Sequence, residues 1–285
     1  MSNTQQIREY IRACEHMMKF FNSMLSKGDY SPNDEDKLKE LTELRFQIRK
    51  DDWPKAIDDK ESDPSHDFLG SLSIPIKNQS VLEFGGCDYN LGVSLKKDYD
   101  AEKVVSYDIE LCRYKKTMLH NSSVVYTDNF KLVQQKGNYN IILVNDIIDH
   151  VENSNYWLHH LCDLIDKDTG RIFIRCHPYT SKNGTHIGEQ TNKAFLHLIF
   201  NDNELATLGV TNKFTRKTID STKSYRKLFE ECGLKIVKEV IKKEVVESMF
   251  LTDSRITERI KNSLGIQENL IDFLEIKYID YELMR

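Results

Sequence analysis

Small and polar residues stand directly after short apolar runs in this chain, and their types suggest a binding edge. Gly85 and Gly86 follow VLEF, Asp108 follows VVSY, Asp128 follows VVYT, Asn145 and Asp146 follow IILV, and His177 follows IFIRC. Glycine lets a backbone turn tightly or lie against a ligand. A carboxylate can hold paired hydroxyls, and a histidine can take or give a proton near neutral pH. His150 and His186 extend the proton-transfer candidates, which rank His186 and His150 first and His177 next. His197, in the apolar run AFLHLIF, is expected to be a packed helix residue, and His159 and His160 are expected to be surface or packing residues.

The elements that must position these residues alternate. Strand-like runs at SVLEFGG, KVVSYDIE, SVVYTD, YNIILVND and GRIFIRCHP are interleaved with helical stretches such as YWLHHLCDLIDKD. Two further runs, LKIVKEVI and ESMFLTD, are separated only by KKE, with the helical SYRKLFEECG ahead of them. Alternation predicts βαβ units and a mainly parallel sheet, and ligands of such sheets bind at the carboxyl ends of the strands. Three residues cannot hold a crossover helix, so the last two runs are expected to form an antiparallel edge hairpin. The predicted fold is α/β and Rossmann-like, a mainly parallel seven-stranded sheet with helices on both faces.

The expected boundaries are an N-terminal helical extension over 1–50, a connector over 51–78, and an α/β domain over 79–253. An insert spans 177–216, and a C-terminal helical tail covers 254–285. The extension rests on two helical periods, Ile7 to Met24 and Leu38, Leu41, Leu44, Ile48. The connector carries Pro54, Pro64 and Pro75 without a sustained period and is expected to wrap the surface. The insert, RCHPYTSKNGTHIGEQTNKAFLHLIF, is polar and aromatic and suits a lid or a substrate-binding segment.

Composition excludes some classes. With 45 Asp and Glu against 40 Lys and Arg, no global positive field gathers nucleic acid or an anionic membrane. The start MSNTQQIREY lacks a secretory layout and no run is long enough for a membrane span, so a cytoplasmic protein is expected. The six cysteines form no CxxC and read as buried, reduced thiols.

A dinucleotide site would want GxGxxG after the first strand, whereas this chain has GGCDYNLG. A nucleoside with an amino-acid tail suits the residues better. It needs a glycine turn, a carboxylate for ribose hydroxyls and polar groups near the base. On these residues, from about Ser80 to Asp253, the chain resembles the class I S-adenosylmethionine-dependent methyltransferases. VLEFGG is similar to the first motif of that family, with Glu83 and Gly85 in its acidic and glycine places and Gly86 beside them.

The resemblance implies S-adenosylmethionine as cofactor and S-adenosylhomocysteine as product. It implies that Asp108 binds the ribose and that Asp128 lies near the adenine. It also implies that Asn145, Asp146, Asp149 and His150 of NDIIDH lie beside the methyl donor and acceptor. The acceptor expected is a polar small molecule or a nucleotide or sugar conjugate, methylated on O or N. Cys87 and Tyr89 replace the second and third glycines of the motif. Two other readings therefore stay open: a non-catalytic binding or scaffold protein, and a nucleic-acid methyltransferase using the basic KFTRKTIDSTKSYRK stretch. No metal is expected, because the acidic spacing of catechol-type enzymes is not reproduced. The N-terminal helices are a candidate homo-oligomer contact.

Overall fold

A computed structural model describes residues 32–49, 53–56, 64–86, 90–109, 123–149, 151–185, 187–210, 222–267 and 269–285. Seven strands form one sheet: β1 Ser80–Phe84, β2 Lys103–Tyr107, β3 Val124–Thr127, β4 Ile141–Asn145, β5 Arg171–Cys176, β6 Lys235–Lys243 and β7 Ile276–Met284. Their order is β3-β2-β1-β4-β5-β7-β6. The first five strands are parallel to one another, and β7 runs antiparallel to both β5 and β6.

The sheet is buried on both faces. In a strand successive side chains point to opposite sides. Leu82 and Phe84 of β1 join Val105 and Tyr107 of β2 in one apolar cluster, together with Leu158 and Leu161 of the helix Ser154–Leu164 and Tyr225 and Phe229 of the helix Thr222–Glu231. Val81, Val104, Ile141, Leu143 and Phe173 join the opposite cluster, with Leu91 and Leu95 of the helix Asn90–Lys97. Each fully buried aliphatic side chain contributes about 1.5–3 kcal/mol. Helices on both faces of a parallel sheet follow directly.

Two expectations are corrected. The stretch 51–78 includes the helix Pro64–Gly70, whose Phe68 and Leu69 are buried with Ile76 in the second cluster. A helix of 7 residues, about two turns, is too short to show a sustained period, and packing on the sheet rather than propensity stabilises it. The partner of β6 is also a different segment. ESMFLTD contains the short helix Met249–Thr252, and the antiparallel strand is IKYIDYELM, inside the tail expected to be helical.

The reason lies in the buried acids of β7. Asp280 and Glu282 lie on the face of β7 opposite Ile279, Tyr281 and Leu283, and both are buried although their charge reads as solvent exposure in the sequence. Each acid has a partner. Arg175 donates from Nε and Nη2 to the two carboxylate oxygens of Asp280 at 2.7 Å each. Ser73 donates to Glu282 at 2.5 Å, and Arg171 lies 3.4 Å from it. A strand of this kind is written by its tertiary partners.

The described chain divides into two compact units. One comprises 59–181, 216–245 and 272–285 and holds the sheet. The other comprises 1–58, 182–215 and 246–271 and therefore gathers pieces of the extension, the insert and the tail. Its helix Pro32–Arg49 buries Leu41, Leu44 and Ile48, as their spacing predicts. Its aromatic centre is Phe250, in edge contact with Trp53 at 5.7 Å and Phe195 at 4.8 Å. Such pairs contribute about 0.5–1.5 kcal/mol each beyond area burial. The Trp53 indole donates to the Ala194 carbonyl, and Arg259 joins Glu40, Glu204 and the carbonyl of Ile199. His197 is buried in the turn Leu196–Ile199 of this unit, a packing residue as expected. The first helical period, Ile7 to Met24, lies outside the described residues.

Candidate functional site

The register brings the predicted polar residues to one edge of the sheet. Phe84 pairs with Tyr107 and Tyr107 with Thr127, so Gly85, Asp108 and Asp128 leave β1, β2 and β3 at the same level. Asn145 pairs with Arg175, which places Asp146 and His177 just beyond the ends of β4 and β5.

Gly85 has φ +92, and a Cβ there would lie 2.1 Å from Cγ1 of Ile147. Both features require glycine. The turn lets the amides of Gly85 and Gly86 donate to the same Tyr107 carbonyl, at 2.8 and 3.2 Å. Gly86 is needed for a different reason: its Cβ would fall 2.1 Å from the Ser106 hydroxyl and 2.7 Å from a Glu83 carboxylate oxygen. Glu83, 4 % exposed, thus lies beneath the turn, under Gly86 and Gly92. Cys87 and Tyr89, the departures from the glycine motif, lie outside the described residues.

Asp108 is 8 % exposed, and its amide donates to the Thr127 carbonyl at 3.2 Å. Ile109, the next residue, is 73 % exposed, an apolar side chain at the mouth of the edge. Asp128 is exposed. Burial, then the charges of Asp108 and Asp128, raise the pKa of the Tyr107 phenol.

The ends of β4 and β5 are organised by side chains. Asp146 takes a left-handed backbone, φ +57, which aspartate tolerates better than most residues. Its amide donates to the Arg175 carbonyl at 2.9 Å, and its Oδ1 lies 2.6 Å from Nδ1 of His177. Ligand atoms of Asp146, Asp149 and His177 all lie within 4.8 Å of one another. Burial alone would lower the His177 pKa, but the Asp146 and Asp149 carboxylates outweigh it and lift it to about 9. The His177 carbonyl accepts from the Tyr225 hydroxyl at 3.2 Å. Oδ1 of Asn145 is buried without a hydrogen-bond partner among the described residues.

Beneath this cluster Arg175, 3 % exposed, is held by Asp280 and by Asp67 at 3.3 Å, with the Tyr278 ring 4.0 Å from its guanidinium carbon. That network and Ile109 were not anticipated from sequence. An exposed isoleucine after a strand-end aspartate is visible in the residues alone, whereas the Arg175 partners are not.

The structure thus brings together Glu83, Gly85, Gly86 and Asp108 around one turn, and Asp146 and His177 around another. His150 and His186 lie outside the described residues. His159 is exposed, and His160 packs its ring against Tyr156 and Phe130 at 4.4 and 5.6 Å, both as expected. In the basic stretch, residues 211–221 are outside the described residues, Arg226 is paired with Glu239, and Lys227 lies 3.7 Å from Glu231. Cys162, Cys176 and Cys232 are buried free thiols. Among the described residues no helix is long and apolar enough to cross a membrane.

A seven-stranded sheet in this order, with its seventh strand reversed between the fifth and sixth, is the Rossmann-like fold of the class I methyltransferases. No family model matches the chain, and no curated protein matches it. Among solved structures it is similar to coclaurine N-methyltransferase bound to N-methylheliamine and S-adenosylhomocysteine, with 13% identity, a TM-score of 0.48 and coverage of 95% of this chain and 94% of that one. It is also similar to an S-adenosylmethionine-dependent methyltransferase from Mesorhizobium loti, with 11% identity, a TM-score of 0.45 and coverage of 77% and 96%. A third is the [4+2]-cyclase SpnF, with 6% identity, a TM-score of 0.46 and coverage of 87% and 93%. These likenesses are ones of architecture.

Proposed function

We propose that the chain is an S-adenosylmethionine-dependent methyltransferase acting on an O or N atom of a polar small molecule or a nucleotide or sugar conjugate. One observation carries the reading: a tight glycine turn, a strand-end carboxylate beside an exposed apolar side chain, and an Asp–His pair follow one another along one carboxyl edge. The donor set fits the cofactor. Asp108 offers acceptor oxygens for a ribose diol, Ile109 offers apolar surface for a base, and Asp128 stands at the next strand end. S-adenosylmethionine supplies an electrophilic methyl group on a sulfonium.

The residues of the chain supply position. Gly85 keeps the β1 loop tight against β2, so that Asp108 and the loop can hold one ligand between them. Held in this way, donor and acceptor react as neighbours rather than as encounters from solution, which is worth orders of magnitude in rate. Asp146 and His177 stand two strands further along and serve the acceptor. The contact of Nδ1 with Asp146 fixes the orientation of the imidazole at this end of the edge.

Calorimetric titration with S-adenosylhomocysteine tests the reading. Binding to the native chain, weakened in Asp108→Ala, is the expected result. A native chain that binds neither S-adenosylmethionine nor S-adenosylhomocysteine would overturn it and favour a non-catalytic binding protein on this fold.

A further inference from the structure

We propose that the outer strand β6 is the interface of a twofold-symmetric homodimer, in which it pairs antiparallel with β6 of a second copy in a register centred on Ile241. β6 ends the strand order, and among the described residues no strand lies beyond it. At nine residues it is, with β7, the longest strand of the sheet. Val237, Val240 and Ile241 within it, and Val245 just past it, are exposed although apolar. An outer strand also presents unpaired backbone amides and carbonyls, a template for a further strand.

The charges along β6 decide which strand fits. Its bulge falls at Val237, and the irregularity at Lys242 and Lys243 carries its extra residue on β7, so 238–243 runs regularly. Lys238, Val240 and Lys242 stand on one face, opposite Glu282, Asp280 and Tyr278 of β7. Glu239 and Ile241 stand on the other, opposite Tyr281 and Ile279, and Lys243 follows them by the period of two. Directly opposed residues of an antiparallel pair share a face, so a twofold β6–β6 pairing must be centred on a residue.

Centred on Ile241, the segment KEVIKKE (238–244) meets itself with Lys238 against Glu244, Glu239 against Lys243, Val240 against Lys242 and Ile241 against Ile241. Each acid then faces a lysine. Centred on Val240, Lys238 would face Lys242; centred on Lys242 or on Glu239, that residue would face its own copy. Opposite charges directly across a pair stabilise it and like charges destabilise it, so one register is selected. Within a copy Glu239 accepts from Arg226, and Lys243 pairs with Glu275. The contact between copies joins these ion pairs into a row of alternating sign: Arg226, Glu239, Lys243, Glu275. Lysines and a bulge guard an edge strand against indiscriminate pairing, and the two acids leave its self-complementary register open. Such an interface closes on itself and yields a dimer rather than a fibre. The twofold axis reverses the strand direction, so the carboxyl edges of the two copies point opposite ways.

The test is sedimentation velocity of the purified full chain over a range of concentrations, with circular dichroism as the check on folding. The native chain should form a reversible dimer. Lys238→Glu and Glu244→Lys each place like charges across the pair and should each weaken dimerisation about tenfold or more. The double variant restores opposite charges and should dimerise as the native chain does. An equimolar mixture of the two single variants should dimerise as well, because one copy then carries acids where the other carries lysines. A purely structural role of these residues would not produce that rescue. A native chain that stays monomeric at every concentration, single variants that dimerise as well as the native chain, or a double variant or mixture that stays monomeric would overturn the interface. If a charge variant fails to fold, Ile241→Glu takes its place, since it sets two like charges face to face on the axis: loss of the dimer supports the interface, and a dimer that survives overturns it.

Discussion

The two halves of the carboxyl edge are built by different means. At the ends of β1 and β2 the backbone does the organising: a positive-φ glycine, two amides on one carbonyl, and a glycine pressed on Ser106 and Glu83. At the ends of β4 and β5 the organising is ionic: Asp146 on His177 above, and Arg175 on Asp280 and Asp67 below. The difference teaches what each half tolerates. A backbone-built turn fails by steric clash, whereas a charge-built cluster fails when one partner is left alone in low dielectric.

The sharpest break is expected from Asp280→Ala, which leaves the Arg175 guanidinium buried without its two-oxygen partner. Removal of one partner of a buried pair costs about 3–5 kcal/mol, to be read as a lowered denaturant midpoint. Replacing both charges, as Arg175→Met with Asp280→Leu, should cost clearly less than the single change. Equal losses would show that the pair is not what holds β5 to β7.

Gly85→Ala strikes the other half. A left-handed strain and a contact at 2.1 Å with Ile147 together are expected to cost about 2–4 kcal/mol. Adding Ile147→Ala should recover the steric part only, since the φ penalty remains. Full recovery in thermal unfolding would mean that the backbone there relaxes freely.

Asp108→Ala is expected to act on binding. Loss of hydrogen bonds to a charged group costs about 1.5–3 kcal/mol, or roughly 10- to 100-fold in S-adenosylhomocysteine affinity by calorimetry. Unchanged affinity would remove the ribose from the end of β2.

The smallest effect is a pH dependence at Asp67. A hydrogen bond from Tyr278, with Arg175 beside it, lowers its pKa below 3.8 despite the opposing effect of burial. A folded pKa below the unfolded one stabilises the native state above that unfolded value, and the gain is lost as pH falls through the lowered one. The stability difference between native chain and Asp67→Asn should be constant near neutrality and vanish under acid. A difference that persists at pH 2 would assign it to shape rather than charge.

Much of the edge was legible in the residues. Gly85, Asp108 and Asp146 stand directly after strands of five residues and His177 after one of six, and each largely apolar run ends where small or polar residues begin. The partner of β6 was not legible, because ESMFLTD is too short to distinguish strand from helix and IKYIDYELM places acids in the core. Nor was the pairing of His177 with Asp146 rather than of another histidine, since several histidines follow strand-like runs.

The sequence by itself determined the alternation, the positions of the strand ends and the kinds of residue placed there, because backbone periodicity and glycine's freedom are local properties. Only the tertiary structure decided which acids stay ionic inside the sheet and which histidine meets which carboxylate. Arg175 and Asp280 are 105 residues apart in the chain, and they read as ordinary surface charges until β5 and β7 bring them together. Contacts of that separation are fixed by the closure of the sheet, which no window of neighbouring residues contains.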